Sequence, residues 1–299
     1  MSGCGWVGFS VGSPSRRQRL DAYLGTPLRM DLESYFARVG FVSVSSALPP
    51  PTLSTLQALT AAHTRAIPFE NLDVLLGRVI DLDVDAVFAK LVTARRGGYC
   101  FEQNGLLLAV LRALGFVVAP LSARVRWQRP RDSIPPRTHM LLRVEIDGES
   151  YLTDVGLGGM SLTGPLRLLA DVVQPTPHEP RRLVREGPLW FHQVLLGSTW
   201  HDVAELTLEE MPEIDRVLAN WFTNAHPQSH FKNRLLVARS HNDGGRSTLL
   251  NSDWTRRFCD GRSVTTRVPG PEALLALLSA EFGLSFPAGT RFNCLALEW

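Results

Sequence analysis

The 299-residue sequence lacks the features that mark membrane-spanning and disulfide-stapled proteins. No apolar run approaches the roughly 18 residues that a membrane-spanning helix needs. The N-terminus has no basic segment before its short, glycine-broken apolar stretch, so it does not match a secretory signal. The cysteines are few, widely spaced and form no CxxC pair; they are Cys4, Cys100, Cys259 and Cys294. We therefore expect neither a disulfide framework nor a membrane anchor, and a reducing cytoplasm fits best.

Excess charge of one sign is also missing. The formal net charge is +2, and lysine occurs only at Lys90 and Lys232. The arginines are scattered and form no basic stripe, which disfavours a nucleic acid or an anionic membrane surface as a partner. The hydrophobic content of 44% and charged content of 20% are typical of a globular protein.

The order of hydrophobic patterns predicts an α+β fold. Apolar residues recur at helical spacing between residues 30 and 115, and Asp31, Thr52 and Asp83 each stand where a helix cap is expected. Between about 117 and 207 the period shifts to two, which predicts strands. A helix near 212–224, a small meander and a last helix complete the pattern. Helices followed by strands favour α+β over alternating βαβ units.

The stretch "RGGYCFEQN" places Cys100 at or next to the start of a helix, directly after two glycines. The amides and dipole of a helix N-terminus favour a thiolate and can stabilise an oxyanion beside it. Gly97 and Gly98 permit a tight approach of the chain. A lone cysteine is more often a small buried hydrophobe. A nearby base would therefore be needed to favour a nucleophile.

The segment "THMLLRVEIDGESYLTDVG" predicts a hairpin with Asp147 and Gly148 as its two-residue turn. In that register Ile146 faces Glu149, so His139 and Asp154 become diagonal neighbours on one face of the sheet. Each residue alone could be structural, as a strand-end histidine or a loop cap. With the upstream cysteine, they suggest a nucleophile, a base and an orienting carboxylate.

Four motifs in this order resemble those of the arylamine N-acetyltransferases. They are "AIPFENLDVLLGR" at 66–78, "RGGYCFEQN" at 96–104, the histidine–aspartate hairpin, and "NWFTNAHPQSHF" at 220–231. The resemblance covers residues from roughly 30 to 290. It implies a helical bundle at 30–116, a β-barrel at 117–210, and an interdomain helix with an α/β lid at 211–299. Residues 1–29 lie outside the family pattern, and we expect a disordered extension there.

The resemblance also implies a reaction. Acetyl-coenzyme A would acetylate Cys100, and an arylamine, arylhydrazine or N-hydroxyarylamine would then take the acetyl group, with His139 as base and Asp154 as orienter.

The same resemblance implies roles for five further residues. It makes Phe69 and Phe222 walls of the amine pocket, places Thr138 near coenzyme A, and makes Glu70 and Arg96 a supporting ion pair.

Two other kinds of enzyme use the same three residue types. A transglutaminase-like acyltransferase would take its acyl group from an amide, and a relative that closes macrocyclic amides would act in a biosynthetic pathway. A third alternative is that the protein is not an enzyme and that its fold serves as a binding module. We expect no metal, because Pro227 lies between His226 and His230 and interrupts their helical spacing. Arg129, Arg131 and Arg137 could meet coenzyme A phosphates, but a solvated loop is the favoured interpretation.

Overall fold

A computed structural model describes residues 30–42, 47–297 and 299 of the chain. The chain divides into two units, 1–30 and 31–299. The extension expected at residues 1–29 lies outside the described residues, as does Cys4. The account that follows concerns the second unit.

Three of the described helices begin at residues that the sequence marks as caps. Asp31 accepts a hydrogen bond from the Ser34 amide at 2.9 Å, and Thr52 accepts one from the Thr55 amide at 3.4 Å. Asp83 accepts from two first-turn amides. The three predicted caps are confirmed. The helices are α1 (Leu32–Val39), α2 (Leu53–Ala66), α3 (Leu72–Leu75), α4 (Val84–Phe88), α5 (Cys100–Ala113), α6 (Glu213–Ala225) and α7 (Pro271–Phe282).

The strands form two antiparallel sheets. The strands are β1 (Phe69–Glu70), β2 (Val117–Val125), β3 (His139–Ile146), β4 (Glu149–Thr153), β5 (Leu166–Arg167), β6 (Arg181–Glu186), β7 (Leu189–Leu196), β8 (Thr199–Glu210), β9 (Leu236–Ser240), β10 (Arg246–Leu250), β11 (Asp253–Arg257) and β12 (Ser263–Arg267). The smaller sheet has the order β1-β9-β10-β11-β12, and the larger has the order β5-β4-β3-β2-β8-β7-β6. The predicted mixed helix and strand content is confirmed.

The larger sheet curls until its edges nearly meet. Ala170, just after β5, forms a bridge with Leu183 of β6 at the opposite edge, and Gln174 forms another with Arg181. The sheet is therefore a nearly closed, barrel-like layer. Its interior is a core of small and branched apolar side chains that includes Leu121, Leu141, Leu152, Leu166, Leu183 and Leu206.

Two strands show little of the alternation between apolar and polar residues that predicts a strand. β6 has the sequence "RRLVRE" and β11 has "DWTRR", so charged side chains occupy most positions. β6 buries Arg181 and Leu183, and β11 is only half-buried. Their pairing partners, β7 for β6 and β10 with β12 for β11, place them in sheets although their own periodicity is weak.

The helical part is joined internally by a buried polar chain. The Tyr35 hydroxyl lies 2.9 Å from His63 Nδ1, and His63 Nε2 lies 2.7 Å from the Gln103 side-chain oxygen. Because that oxygen can only accept, Nε2 carries the proton and Nδ1 accepts from the tyrosine. Gln103 then donates to the carbonyls of Pro68 and Gly98. The side-chain polar groups of Tyr35, His63 and Gln103 are thus paired, which ties α1, α2 and α5 to the segment before Cys100.

The hydrogen bonds that join Tyr35, His63 and Gln103 predict a contribution to folding stability that is lost in acid. Burial lowers the pKa of His63 to about 4, with a smaller opposing effect from Gln103. The unfolded chain binds a proton on this imidazole below about pH 6.5, whereas the folded chain does not until about pH 4. Stability from the neutral imidazole is therefore complete above pH 6.5 and is lost as pH falls toward 4. We expect His63→Gln to lose less stability than the wild type over this range, by up to about 1.4 kcal/mol per pH unit.

The measurement is the free energy of unfolding in urea at several pH values between 7 and 4.5. Tyr35→Phe is the matched control, because it breaks the same polar chain but keeps the imidazole. It should retain the wild-type slope at a lower overall stability. Equal slopes for the wild type and His63→Gln would contradict the prediction.

Candidate active site

Cys100 is the first residue of α5 and is 3% exposed. The helix begins there because the Tyr99 carbonyl accepts the amides of Glu102 and Gln103, at 3.0 and 2.9 Å. In return, Glu102 accepts the Tyr99 amide at 3.1 Å. A carboxylate at this position caps the helix and faces its positive end. The predicted helix start at the cysteine is confirmed.

The glycine pair before the cysteine packs against its surroundings with no room for a side chain. A Cβ built on Gly97 would lie 2.2 Å from the Pro68 carbonyl oxygen, and one on Gly98 would lie 2.6 Å from Glu102 Oε2. Both positions therefore require glycine for the chain to approach this closely. This is the tight approach that the sequence predicts for Gly97 and Gly98.

The β3–β4 hairpin has the predicted register. Ile146 pairs with Glu149, and Asp147 and Gly148 have positive φ values of 52° and 79°, as a type I′ turn requires. Continuing that register sets Leu141 opposite Asp154. His139 Nε2 lies 2.6 Å from Asp154 Oδ2, and both residues are buried. The register brings together two residues that are 15 positions apart.

The imidazole of His139 is poised to carry positive charge. Burial is the largest influence and lowers its pKa, but the charge and hydrogen bond of Asp154, together with Cys100, outweigh burial and raise the pKa to about 10. Cys100 is among the groups that raise this pKa, so its side chain lies close to the imidazole. Cys100 therefore lies beside the hydrogen-bonded pair of His139 and Asp154. The Cys100 sulfur also lies 3.7 Å from the carbonyl oxygen of Thr138.

Asn104 joins this group to the helix, and the motif analysis did not single it out. It lies one turn after Cys100, and its side chain donates to the Met140 carbonyl at 2.7 Å and to Asp154 Oδ1 at 2.9 Å. It also accepts the Val155 amide at 3.0 Å. The signal was its place in "RGGYCFEQN", since residues four apart share a face of a helix.

A buried charge network lies behind the cysteine. Arg96 is 2.7 Å from Glu70 and 3.2 Å from Asp73, so the expected Glu70–Arg96 pair is present in the structure. Lys90 continues the network to Asp73 at 2.8 Å and to Glu102 at 2.6 Å. Burial raises the pKa of Glu102 to about 7, against the opposing charge of Lys90. The network ends at the carboxylate that caps α5.

The two aromatic residues expected as pocket walls have different neighbours. Phe69 lies on β1, where it bridges to Gly98, and its ring is 6.1 Å from that of Phe231. The Phe231 ring in turn lies 5.6 Å from that of Tyr99. Phe222 lies on α6 and stacks on His226 at 4.6 Å. Phe69 is therefore tied to the segment before the cysteine, whereas Phe222 stacks within its own segment.

The loop before Thr138 uses some of its arginines internally. Arg131 pairs with Glu186 and Asp202 and lies over the ring of Phe191. Arg126 is buried and donates to three carbonyls of the loop as well as to Glu205. Among the described residues, Arg129 and Arg137 carry no salt bridge. They remain available for an anionic ligand, and Arg131 is already engaged.

Two features are absent from the part of the chain that the structure describes. No group of three or more histidine, cysteine, aspartate or glutamate side chains in this part of the chain could hold a metal ion. No helix within the same residues is both long and apolar enough to cross a bilayer.

Comparison with known proteins gives consistent matches. The model of the N-acetyltransferase family matches residues 52–290. The arylamine N-acetyltransferase of Escherichia coli (strain K12) is 44% identical over 254 residues, which are 85% of this chain and 88% of that protein. A structure of a Mycobacterium smegmatis N-arylamine acetyltransferase variant superposes with a TM-score of 0.81 at 42% identity, covering 86% of this chain and 93% of that one. The Mycobacterium marinum arylamine N-acetyltransferase, solved in complex with CoA, gives 0.80 at 38% identity and covers 85% and 92%.

The first prediction from the site concerns Asn104. Asn104→Ala leaves the Met140 carbonyl and the Val155 amide buried without their partner, so we expect the free energy of unfolding to fall by about 2 to 4 kcal/mol. Asp154 also loses one of the donors that hold it, so alkylation of Cys100 by iodoacetamide should slow. Leu108→Ala, one turn further along α5, is the matched control. It should cost about 2 to 5 kcal/mol through lost packing while the alkylation rate is retained. Equal alkylation rates in both variants would count against Asn104.

The second prediction concerns Gly156, which follows the hairpin. A Cβ there would lie 2.6 Å from the Cys100 Cα and 2.7 Å from Asn104 Nδ2. Gly156→Ala must therefore push the Asp154 segment away from α5, and we expect Cys100 alkylation to slow at least about tenfold, because small misplacements have large effects on reaction rates. Gly105→Ala on α5 is the control, because a Cβ there would have no atom within 4 Å. It should leave the alkylation rate unchanged and add about 1 kcal/mol of stability. A normal rate in Gly156→Ala would refute the close contact.

Proposed function

We propose that this chain, which belongs to the arylamine N-acetyltransferase family, transfers the acetyl group of acetyl-coenzyme A to the nitrogen of an arylamine, arylhydrazine or N-hydroxyarylamine. The observation that carries the proposal is the buried, hydrogen-bonded pair of His139 and Asp154 close to Cys100 at the start of α5. Such a group supplies a nucleophile, a base that can also act as an acid, and an orienting carboxylate.

The first half-reaction acetylates the cysteine. The Cys100 sulfur attacks the thioester carbonyl carbon, its proton being held by His139. The carbon–sulfur bond to coenzyme A then breaks, and the leaving thiolate takes that proton. Negative charge on the carbonyl oxygen is favoured next to the N-terminus of α5. The product of this step is acetyl-Cys100 and free coenzyme A, a ping-pong exchange between two thioesters.

The second half-reaction regenerates the enzyme. The amine nitrogen attacks the acetyl carbon, His139 accepts a proton from the nitrogen, and the bond to Cys100 breaks. The sulfur recovers its proton from His139, and the N-acetylated product leaves. Asp154 holds Nε2 of His139 in both steps, which leaves Nδ1 to exchange the proton.

Substrate binding draws on residues around this group. Thr138 places its carbonyl next to the sulfur, and the loop that precedes it carries Arg129 and Arg137, which are free to meet the phosphates of coenzyme A. We assign Phe69 and Phe222 to the walls of the amine pocket, where aromatic rings suit a planar acceptor. We exclude Arg131 from the donor site, because two carboxylates and the Phe191 ring already hold it.

The remaining assignments follow from the same function. Glu70 and Arg96 support the segment before the nucleophile through the buried charge network. We divide the chain into a helical bundle at 30–116, a barrel at 117–210, and an interdomain helix with an α/β lid at 211–299. Because the reaction needs a free thiol, we propose a reducing compartment, the cytoplasm. Cys100, Cys259 and Cys294 are all free thiols in the structure.

The test is a mass spectrum of the intact protein mixed with acetyl-coenzyme A alone, with the modified peptide mapped. We expect one acetyl group on the Cys100 peptide, removed when an arylamine is added. Cys100→Ala and Cys100→Ser should carry no adduct and lose essentially all acetyl transfer, because the transferred group has no other carrier. Cys259→Ser, which removes an exposed thiol, is the matched control and should behave as the wild type.

Other outcomes separate the competing functions. An adduct formed from an amide donor but not from acetyl-coenzyme A would favour the transglutaminase-like reaction. An adduct that only an intramolecular amine removes would favour a macrocyclic amide synthase. Transfer by Cys100→Ala at the wild-type rate would overturn the assigned nucleophile.

A further inference from the structure

Tyr99, the residue just before the nucleophile, is held at both ends. Its amide donates to Glu102, and its carbonyl accepts the first two helical amides of α5. Its ring is fully buried and packs edge-on against Phe101 at 6.1 Å. The backbone of Tyr99 sets the direction in which α5, and therefore the Cys100 side chain, begins. Whatever fixes the far end of this side chain restrains the position of the sulfur.

The far end is fixed by α6, a helix that lies more than one hundred residues later in the chain. The Tyr99 hydroxyl donates to the side-chain oxygen of Asn220. The Asn220 side-chain nitrogen donates to the Ile80 carbonyl at 3.0 Å. Asn220 is 8% exposed, and both its side-chain oxygen and its side-chain nitrogen have a partner inside the protein.

The arrangement is directional. The Asn220 amide can donate only from nitrogen, and that nitrogen is taken by the Ile80 carbonyl, so the oxygen must face the tyrosine. The hydroxyl therefore meets a fixed acceptor. Three segments far apart in sequence meet at this one amide: the nucleophile segment, the loop at 80 and helix α6.

We propose that Asn220 is a positioning residue for the acetyl-transfer reaction, acting on Cys100 through Tyr99. It does not touch the reacting atoms. It holds the Tyr99 hydroxyl so that the sulfur keeps its alignment with His139. The same helix carries Phe222, so Asn220 also fixes the proposed amine-pocket wall relative to the nucleophile. This inference rests on the proposed function, because it assigns Cys100 as the acyl carrier.

The experiment separates positioning from stability by a double-mutant cycle. Tyr99→Phe removes only the hydroxyl, Asn220→Leu replaces the amide by an apolar group of similar size, and the double variant removes both partners. Removing both partners restores the part of the stability that either single change loses by leaving a buried hydroxyl or amide oxygen unpaired, whereas the Ile80 carbonyl lacks its donor in both Asn220→Leu variants. A purely structural role would therefore let the double variant regain activity together with stability.

We expect the opposite for activity. In all three variants the rate of Cys100 acetylation by acetyl-coenzyme A should fall about tenfold or more, since the sulfur is no longer held in line. The double variant should be no slower than either single one, because both changes break the same contact. Alkylation by iodoacetamide should slow in parallel and change its pH profile, which a general loss of stability does not cause below the unfolding transition.

Two controls make the result decisive. Ile214→Ser, on the exposed side of the same helix, should match the wild type in both rates. Asn220→Asp keeps an oxygen that accepts from Tyr99 and should recover part of the alkylation rate lost in Asn220→Leu. If Asn220→Leu does not fold, Tyr99→Phe tests the same contact alone.

The outcomes are distinguishable from failure of the proposed function. If the wild type itself takes no acetyl group from acetyl-coenzyme A, the proposed function fails. If the wild type is acetylated, and Tyr99→Phe and Asn220→Leu are acetylated and alkylated at the same rates, the positioning role is overturned. Recovery of the wild-type rates in the double variant would also overturn it, because it would show that only stability was at stake.

Discussion

The buried carboxylate of Asp154 is the constraint on which the rest of the site depends. One oxygen meets His139, and the other accepts from Asn104 and from the Gly156 amide. Burying a carboxylate costs far more than its contacts return unless its lone pairs are filled. The Asp154 oxygens receive their hydrogen bonds only if three conditions hold: the hairpin register, a glycine at 156 and the asparagine on α5. Meeting those conditions also sets the imidazole beside the sulfur.

The buried charges behind Cys100 depend on their partners in the same way. Glu70, Asp73 and Glu102 face Lys90 and Arg96 in a network with little access to water, so each charge needs its neighbours. Glu102 has two tasks, since it meets Lys90 and caps the helix that starts at Cys100. The segment before the cysteine is thus held on one side by charge, on another by the Tyr35–His63–Gln103 chain, and on a third by Asn220. Cys100 therefore follows a segment that is held from three sides.

Membership of the arylamine N-acetyltransferase family, expected from four motifs, is confirmed by matches over most of the chain. The motifs indicate the family because they contain positions that accept few other residue types. These are glycines whose surroundings leave no space for a Cβ, and a cysteine at the start of a helix. The motif "RGGYCFEQN" also contained Gln103 and Asn104, whose importance became visible only with their partners. Those partners are backbone carbonyls and amides of distant segments, which carry no signature in the sequence.

The sequence alone determined what depends on local chemistry. Capping residues set the starts of α1, α2 and α4, and the Asp147–Gly148 turn set the register that aligns His139 with Asp154, because these signals act over a few residues. Tertiary structure decided the rest. The charged sequences of β6 and β11 do not predict strands. These segments are strands because neighbouring strands pair with them. The meeting of Tyr99 with Asn220 spans 121 positions, and only the packing of α6 against the helical part brings them together. Local preferences fix dihedral angles, whereas contacts between distant segments are selected by the shared need to bury apolar surface and satisfy every buried polar group.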